Sequence, residues 1–196
     1  CHERNSIMNG RDSSKKIRLG VVGGGFGAMF PWGEHPNCVV QAVCDLLPDR
    51  RQHMVDTYKC DNVYNSLEEL IKDKNVDAVA IFTGAPDHVK HCVACLNAGK
   101  HVLCAVPAAT NLEDAELLRE TVESTGLTYM MAETSYYYPA AISARKFWQE
   151  KEFGDIFYTE AQYQHGGMEN TLWFDKDGKP TWRHGMTPML FPTHCT

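Results

Sequence analysis

In this chain of 196 residues, Gly23, Gly25 and Ala28 follow the spacing G-x-G-x-x-G/A. Each small residue has its own purpose in that pattern. The first permits a tight turn, the second lets a diphosphate approach the backbone, and the third allows close packing on a strand. Asp45 stands 22 residues after Gly23, about the interval at which a carboxylate can accept hydrogen bonds from a ribose. Together they predict a dinucleotide site, with Phe26 and Gly27 completing the loop and the amides of a following helix facing the phosphates. A carboxylate at Asp45 repels a 2′-phosphate, so NAD is preferred to NADP; Arg50 and Arg51 close by temper that preference.

Such a loop works only if strands and helices hold it. Residues 17–22 form a short apolar run rich in branched side chains that stops at the glycines, which reads as a strand entering a turn. Residues 39–44 give a second strand closing on Asp45, and 49–58 a polar-faced helix. Ser66 with Glu69 predicts a capping box for a helix running to about Asp73. A buried strand over 76–82, a helix over 87–98 stopped by Gly99 and a strand over 100–104 follow. Asn111 caps a helix ending at Gly126, and 128–132 is a further strand. This alternation predicts βαβ units, hence an α/β, doubly wound parallel sheet with helices on both faces. Thr83, Gly84, Val106 and Pro107, at the ends of the later strands, join the expected cofactor-binding set. His88 is expected to pack near the nicotinamide half of the cofactor rather than to transfer protons.

The formal net charge of −6, with no basic cluster beyond Lys15, Lys16 and Arg18, gives no footprint for nucleic acid. No apolar run suffices to cross a bilayer and no secretory signal is evident, so a soluble, cytoplasmic protein is expected. The eight cysteines are spread along a chain that otherwise reads as strands and helices and are expected as reduced thiols. Cys92 and Cys95 read as buried small residues rather than half of a zinc site, and no metal is expected. Residues 1–16 are polar and aperiodic, which reads as a disordered or non-native extension, with Met8 a candidate start. A lipoprotein cysteine is the rival reading of Cys1. The chain stops at Thr196 without completing an element, so a fragment cut at both ends is expected.

The order of the motifs resembles the Gfo/Idh/MocA oxidoreductases. The matching pieces are Gly-Val-Val-Gly-Gly-Gly-Phe-Gly, Val-Cys-Asp45, Tyr64-Asn-Ser-Leu-Glu-Glu-Leu, Val76-Asp-Ala-Val, Pro86-Asp-His88, Gly-Lys-His-Val-Leu-Cys104 and Lys151-Glu-Phe-Gly-Asp-Ile-Phe157. The resemblance implies an NAD(P)-binding domain over 17–138 and, over 139–196, part of a substrate and dimerisation domain built on an antiparallel sheet. It also implies a small-molecule sugar substrate, hydride transfer to nicotinamide, and a homo-oligomeric full-length protein. Where the family carries Glu-Lys-Pro after the fourth strand, this chain has Ala105-Val106-Pro107. Val106 can neither donate a hydrogen bond nor carry a proton.

A branch containing NAD-dependent glycosidases is similar at Val106-Pro107-Ala108, Tyr163-Gln164-His165 and Phe191-Pro192-Thr193-His194. By that resemblance His194, Tyr163 and His165 are the candidate catalytic residues. Tyr163 and His165 are two apart and would share one face of a strand. Three activities therefore stand open: dehydrogenation of a sugar, redox-neutral glycoside cleavage through transient C3 oxidation, and dinucleotide binding without turnover.

Overall fold

The computed structural model describes residues 16–160, 162 and 173–185. Six strands, β1 (Ile17–Val22), β2 (Cys38–Cys44), β3 (Val63–Tyr64), β4 (Ala78–Ile81), β5 (His101–Cys104) and β6 (Tyr129–Met131), form one sheet in the order β3-β2-β1-β4-β5-β6. Every neighbouring pair is parallel, so the connections must cross over its faces. The chain steps outward from β1 to β2 and β3, then returns to place β4 on the other side of β1. That reversal opens a crevice at the carboxyl ends of β1 and β4, the place where sheets of this kind take ligands.

Alternation along each strand divides the interior in two. Val22, Val79, Ile81, Val102 and Cys104 point to one face, beneath α2 (Leu67–Leu70), α3 (His88–Asn97) and α4 (Leu112–Thr125). Leu19, Val21, Ala80 and Phe82 point to the other, where Met54 of α1 (Pro48–Tyr58) meets them. Local chemistry starts and stops these helices. Asn111 accepts the Asp114 N–H at 2.7 Å, and Gly126 ends α4 in the left-handed region at φ 65°. Ser66 accepts the Glu69 N–H at 3.3 Å, while the Glu69 carboxylate reaches the Asn65 N–H rather than that of Ser66. The α-helical part of this segment stops at Leu70, short of Asp73, because the chain tightens into i to i+3 turns.

The main departure from expectation follows the glycine loop. In place of a helix there are two short 3₁₀ turns, Gly27–Met29 and Trp32–Glu34. Pro31 and Pro36 explain it, since each lacks an amide donor and clashes with the preceding turn of an α-helix. The space a helix would fill is taken by the rings of Phe26, Phe30, Trp32 and Phe82, whose contacting centroids lie 5.1–6.0 Å apart. The Tyr58 hydroxyl lies 2.9 Å from both the Gly27 and Phe30 carbonyl oxygens and ties α1 to this wedge.

Two further elements were not foreseen: the two-residue β3, and α5 (Pro139–Gln149), which buries no residue. Among the described residues after α5, antiparallel pairing is limited to an isolated bridge between Phe174 and Pro180. No described helix is long and apolar enough to cross a membrane.

Candidate dinucleotide site

Strand register lines up the expected cofactor residues. Val22 pairs with Cys44 and with Ile81, and Ile81 pairs with Cys104. The segments leaving these four residues therefore form one row along the sheet edge: Asp45, the glycine loop, Thr83-Gly84, then Val106-Pro107. From Asp45 to Val106 the row crosses three strand spacings of about 4.8 Å each, roughly 14 Å in all.

The loop's inner glycines are fixed by the backbone behind them. At Gly23, φ is +96° and a Cβ would stand 2.4 Å from the Phe82 carbonyl oxygen. At Gly24 a Cβ would meet the Met54 sulfur at 2.7 Å, and at Gly27 the Phe82 ring at 2.9 Å. Gly25 differs: a Cβ there would meet only the Arg50 guanidinium, with Nη1 at 3.4 Å. Gly25 and Phe26 are exposed. An open glycine bounded by a cation fits the diphosphate of a dinucleotide. Ala28 is buried against the second core, as expected, although a 3₁₀ turn carries it.

Asp45 is 8 % exposed, and its carboxylate oxygens accept the Gly24 N–H at 2.7 Å and the Leu47 N–H at 2.8 Å. It clamps the glycine loop to the entry of α1. A carboxylate has about four acceptor sites, so this clamp leaves capacity for a ribose hydroxyl. Arg51 donates to the carbonyls of Asp45 and Leu46 at 2.7 and 3.1 Å and braces the same corner.

On the other side of β1, His88 is buried at 1 % exposure. Its Nδ1 lies 2.8 Å from the Pro107 carbonyl oxygen and its Nε2 3.1 Å from that of Thr83. A neutral imidazole donates to only one of these two acceptors. The ring therefore sits between the segment after β4 and the one after β5, with each of its nitrogens facing a carbonyl from one of them. The Thr83 hydroxyl is 2.9 Å from His91 Nδ1. Burial pushes the His91 pKa below its ordinary value, against the opposing charge of Asp87, so the neutral ring is favoured. Trp182 lies over Gly84, with Nε1 3.4 Å from where a Cβ would be, and the Arg183 guanidinium stacks 4.1 Å above the indole.

Sequence reasoning passed over His91, the bridging of His88 and the seat of Trp182 on Gly84. Only the spacing His88-x-x-His91, which places both rings on adjacent turns of α3, could have signalled the first two. Tyr163, His165 and His194 lie outside the described residues. The thiols of Cys92 and Cys95 on α3 and of Cys104 on β5 are 0 % exposed; burial beside Cys92 pushes the Cys95 thiol up, and a hydrogen bond with Cys92 together with burial pushes the Cys104 thiol up. No metal-binding cluster occurs among the described residues.

The family model described as an oxidoreductase family with an NAD-binding Rossmann fold matches residues 17–133. Among curated relatives, a trans-1,2-dihydrobenzene-1,2-diol dehydrogenase of Mus musculus is 30% identical over 155 residues, covering 75% of this chain and 46% of that protein. A glycosyl hydrolase family 109 protein of Streptomyces coelicolor is 25% identical over 193 residues, covering 91% of this chain and 41% of that protein. The chain thus spans less than half the length of these relatives. Among solved structures, an apo scyllo-inositol dehydrogenase from Lactobacillus casei shares the fold, with a TM-score of 0.69 and 21% identity over 74% of this chain and 44% of that one. The matched span begins at β1 and takes in the whole row of strand ends, and by it this chain is a member of the Gfo/Idh/MocA oxidoreductase family.

Proposed function

We propose that the protein is an NAD(P)-dependent dehydrogenase acting on a sugar or related polyol, with NAD preferred. The observation that carries this reading is the row of strand ends, Asp45, Gly23 to Gly27, Thr83-Gly84 and Val106-Pro107, in a chain of this family. A bound nicotinamide supplies the hydride acceptor. The chain's own residues hold it: the glycine loop admits the diphosphate, Asp45 fixes that loop and faces the ribose, and His88 positions the segments carrying Thr83 and Pro107. Val106 contributes an apolar wall and no proton. The hydroxyl proton of the substrate must therefore pass to another group, and His194, Tyr163 and His165 are the proposed acceptors, with residues 139–196 opening the domain that covers the substrate. The full-length protein is proposed to be homo-oligomeric. The six described cysteines are free, which suits a cytoplasmic setting.

The second reading is redox-neutral cleavage of a glycoside. It is favoured by the length of the glycosyl hydrolase family 109 match, which covers 91% of this chain. One experiment separates the two. The protein is incubated with NAD and a panel of polyols, sugars and nitrophenyl glycosides. Net NADH formation supports the dehydrogenase. Release of nitrophenol that requires NAD but yields no net NADH supports the glycosidase. NAD binding without either product leaves a dinucleotide-binding protein, and His194→Ala would then change nothing measurable.

A further inference from the structure

In a standard loop of this kind the diphosphate gains charge stabilisation from the helix that follows, whose first amides and dipole face it. Here that helix is replaced by 3₁₀ turns and an aromatic wedge. An anionic ligand over Gly25 therefore needs its positive charge from another element. We infer that Arg50 supplies it: its guanidinium binds the diphosphate of the dinucleotide in place of the missing helix terminus.

Three observations carry the assignment. Arg50 Nη1 and Cζ lie 3.4 and 3.6 Å from the position a Gly25 Cβ would take, so the guanidinium borders the one loop glycine with an open face. Arg50 sits in the first turn of α1 (Pro48–Tyr58), where a cation opposes the helix dipole and costs stability. Among the described residues its guanidinium has no hydrogen-bond or ion-pair partner, whereas Arg51 beside it is held by two carbonyls. Asp49 is the acidic residue of this first turn, and Arg51 is its other cation. Asp45 is already engaged by two backbone amides. A guanidinium presents paired donors that suit phosphate oxygens.

The inference rests on dinucleotide binding by this chain, and the test separates the two. Binding of NAD, NADP, ADP and adenosine is measured by calorimetry for the wild-type chain, Arg50→Ala, Arg50→Lys and Arg51→Ala. Circular dichroism confirms that each variant is folded. Arg50→Ala is expected to weaken NAD, NADP and ADP alike by about tenfold, the worth of one charge-assisted contact, and to leave adenosine unchanged. The salt dependence of NAD binding should fall with it. Arg50→Lys should recover most of the loss, and Arg51→Ala should lack this pattern. An equal loss for adenosine would overturn the assignment in favour of stacking on the base. A loss confined to NADP would overturn it in favour of a 2′-phosphate contact, and no loss at all would overturn it outright. If the wild-type chain binds neither NAD nor ADP, dinucleotide binding itself fails and the role of Arg50 falls with it.

Discussion

One face of the sheet lies beneath α2, α3 and α4 and is packed with aliphatic and thiol side chains, among them Leu70, Ile81, Cys92 and Cys104, each 0 % exposed. The other face is closed by α1 and a wedge of aromatic rings, with Phe26 still 56 % exposed and Phe30 and Trp32 only partly buried. The first face is a sealed interior. The second carries the glycine loop, and its covering residues therefore serve packing and ligand approach together. A helix there would have provided both cover and positive charge; the aromatic wedge provides cover alone. The two faces should accordingly respond differently to the same kind of damage.

The largest effects are expected at adjacent residues that point in opposite directions. Ile81→Ala should cost about 2–5 kcal/mol and Phe82→Ala about 3–5 kcal/mol of stability, measured by urea unfolding. The contrast lies in binding. Ile81→Ala should retain NAD affinity under conditions where it is folded, whereas Phe82→Ala removes the ring beneath Gly27 and should weaken NAD as well. Equal retention by both variants would break the distinction between the faces.

A smaller effect isolates the wedge. Tyr58→Phe removes the hydroxyl that reaches the Gly27 and Phe30 carbonyls and should cost about 1 kcal/mol. Burial raises the Tyr58 pKa from 10 to about 12, so this contribution should be whole below pH 10 and be lost as pH rises from there to about 12. Stability unchanged in Tyr58→Phe would mean that the rings alone hold the loop.

The helical face should show a shallow acid dependence through His91. Its pKa is lowered by burial from an ordinary value of 6.5, so its contribution is present above that pH and is lost as pH falls through the folded value. Urea midpoints at pH 7.5 and 5.5 should differ less in His91→Asn than in wild type. An undiminished difference would assign the acid sensitivity elsewhere.

The smallest response concerns the thiols. With Cys1 and Cys195 replaced by serine, a disulfide reagent at pH 8 should modify Cys38 first. Cys44, whose pKa burial pushes up to about 12, and Cys92, Cys95 and Cys104 should stay unreacted until unfolding. Rapid labelling beneath α3 would show that the sealed face opens.

Much of this arrangement was legible before any coordinates. Alternating apolar runs, the Asn111 cap and the stop at Gly126 identified the strands and α4, because they act within a few residues of chain. β3 was missed because Val63 and Tyr64 gain strand geometry only by pairing with Val43 and Cys44. The expected helix after the glycine loop was wrong for a local reason that was in view, Pro31 and Pro36, outweighed by the habit of the motif. At the site, the order of Asp45, glycine loop and later strand ends could be expected, but not that Asp45 spends both oxygens on amides.

Residue type and short spacing thus determined that the chain would alternate strands with helices, turn at Gly23, and carry an acid after its second strand. Those are consequences of backbone freedom, hydrophobic period and capping, all set over short stretches. Only the tertiary structure decided that β4 returns beside β1, that Phe82 rather than a helix backs the loop, and that Arg50 rather than Arg51 borders Gly25. Such juxtapositions join residues far apart in the chain, and they are fixed by which side chains fill a shared volume, a property no single segment possesses.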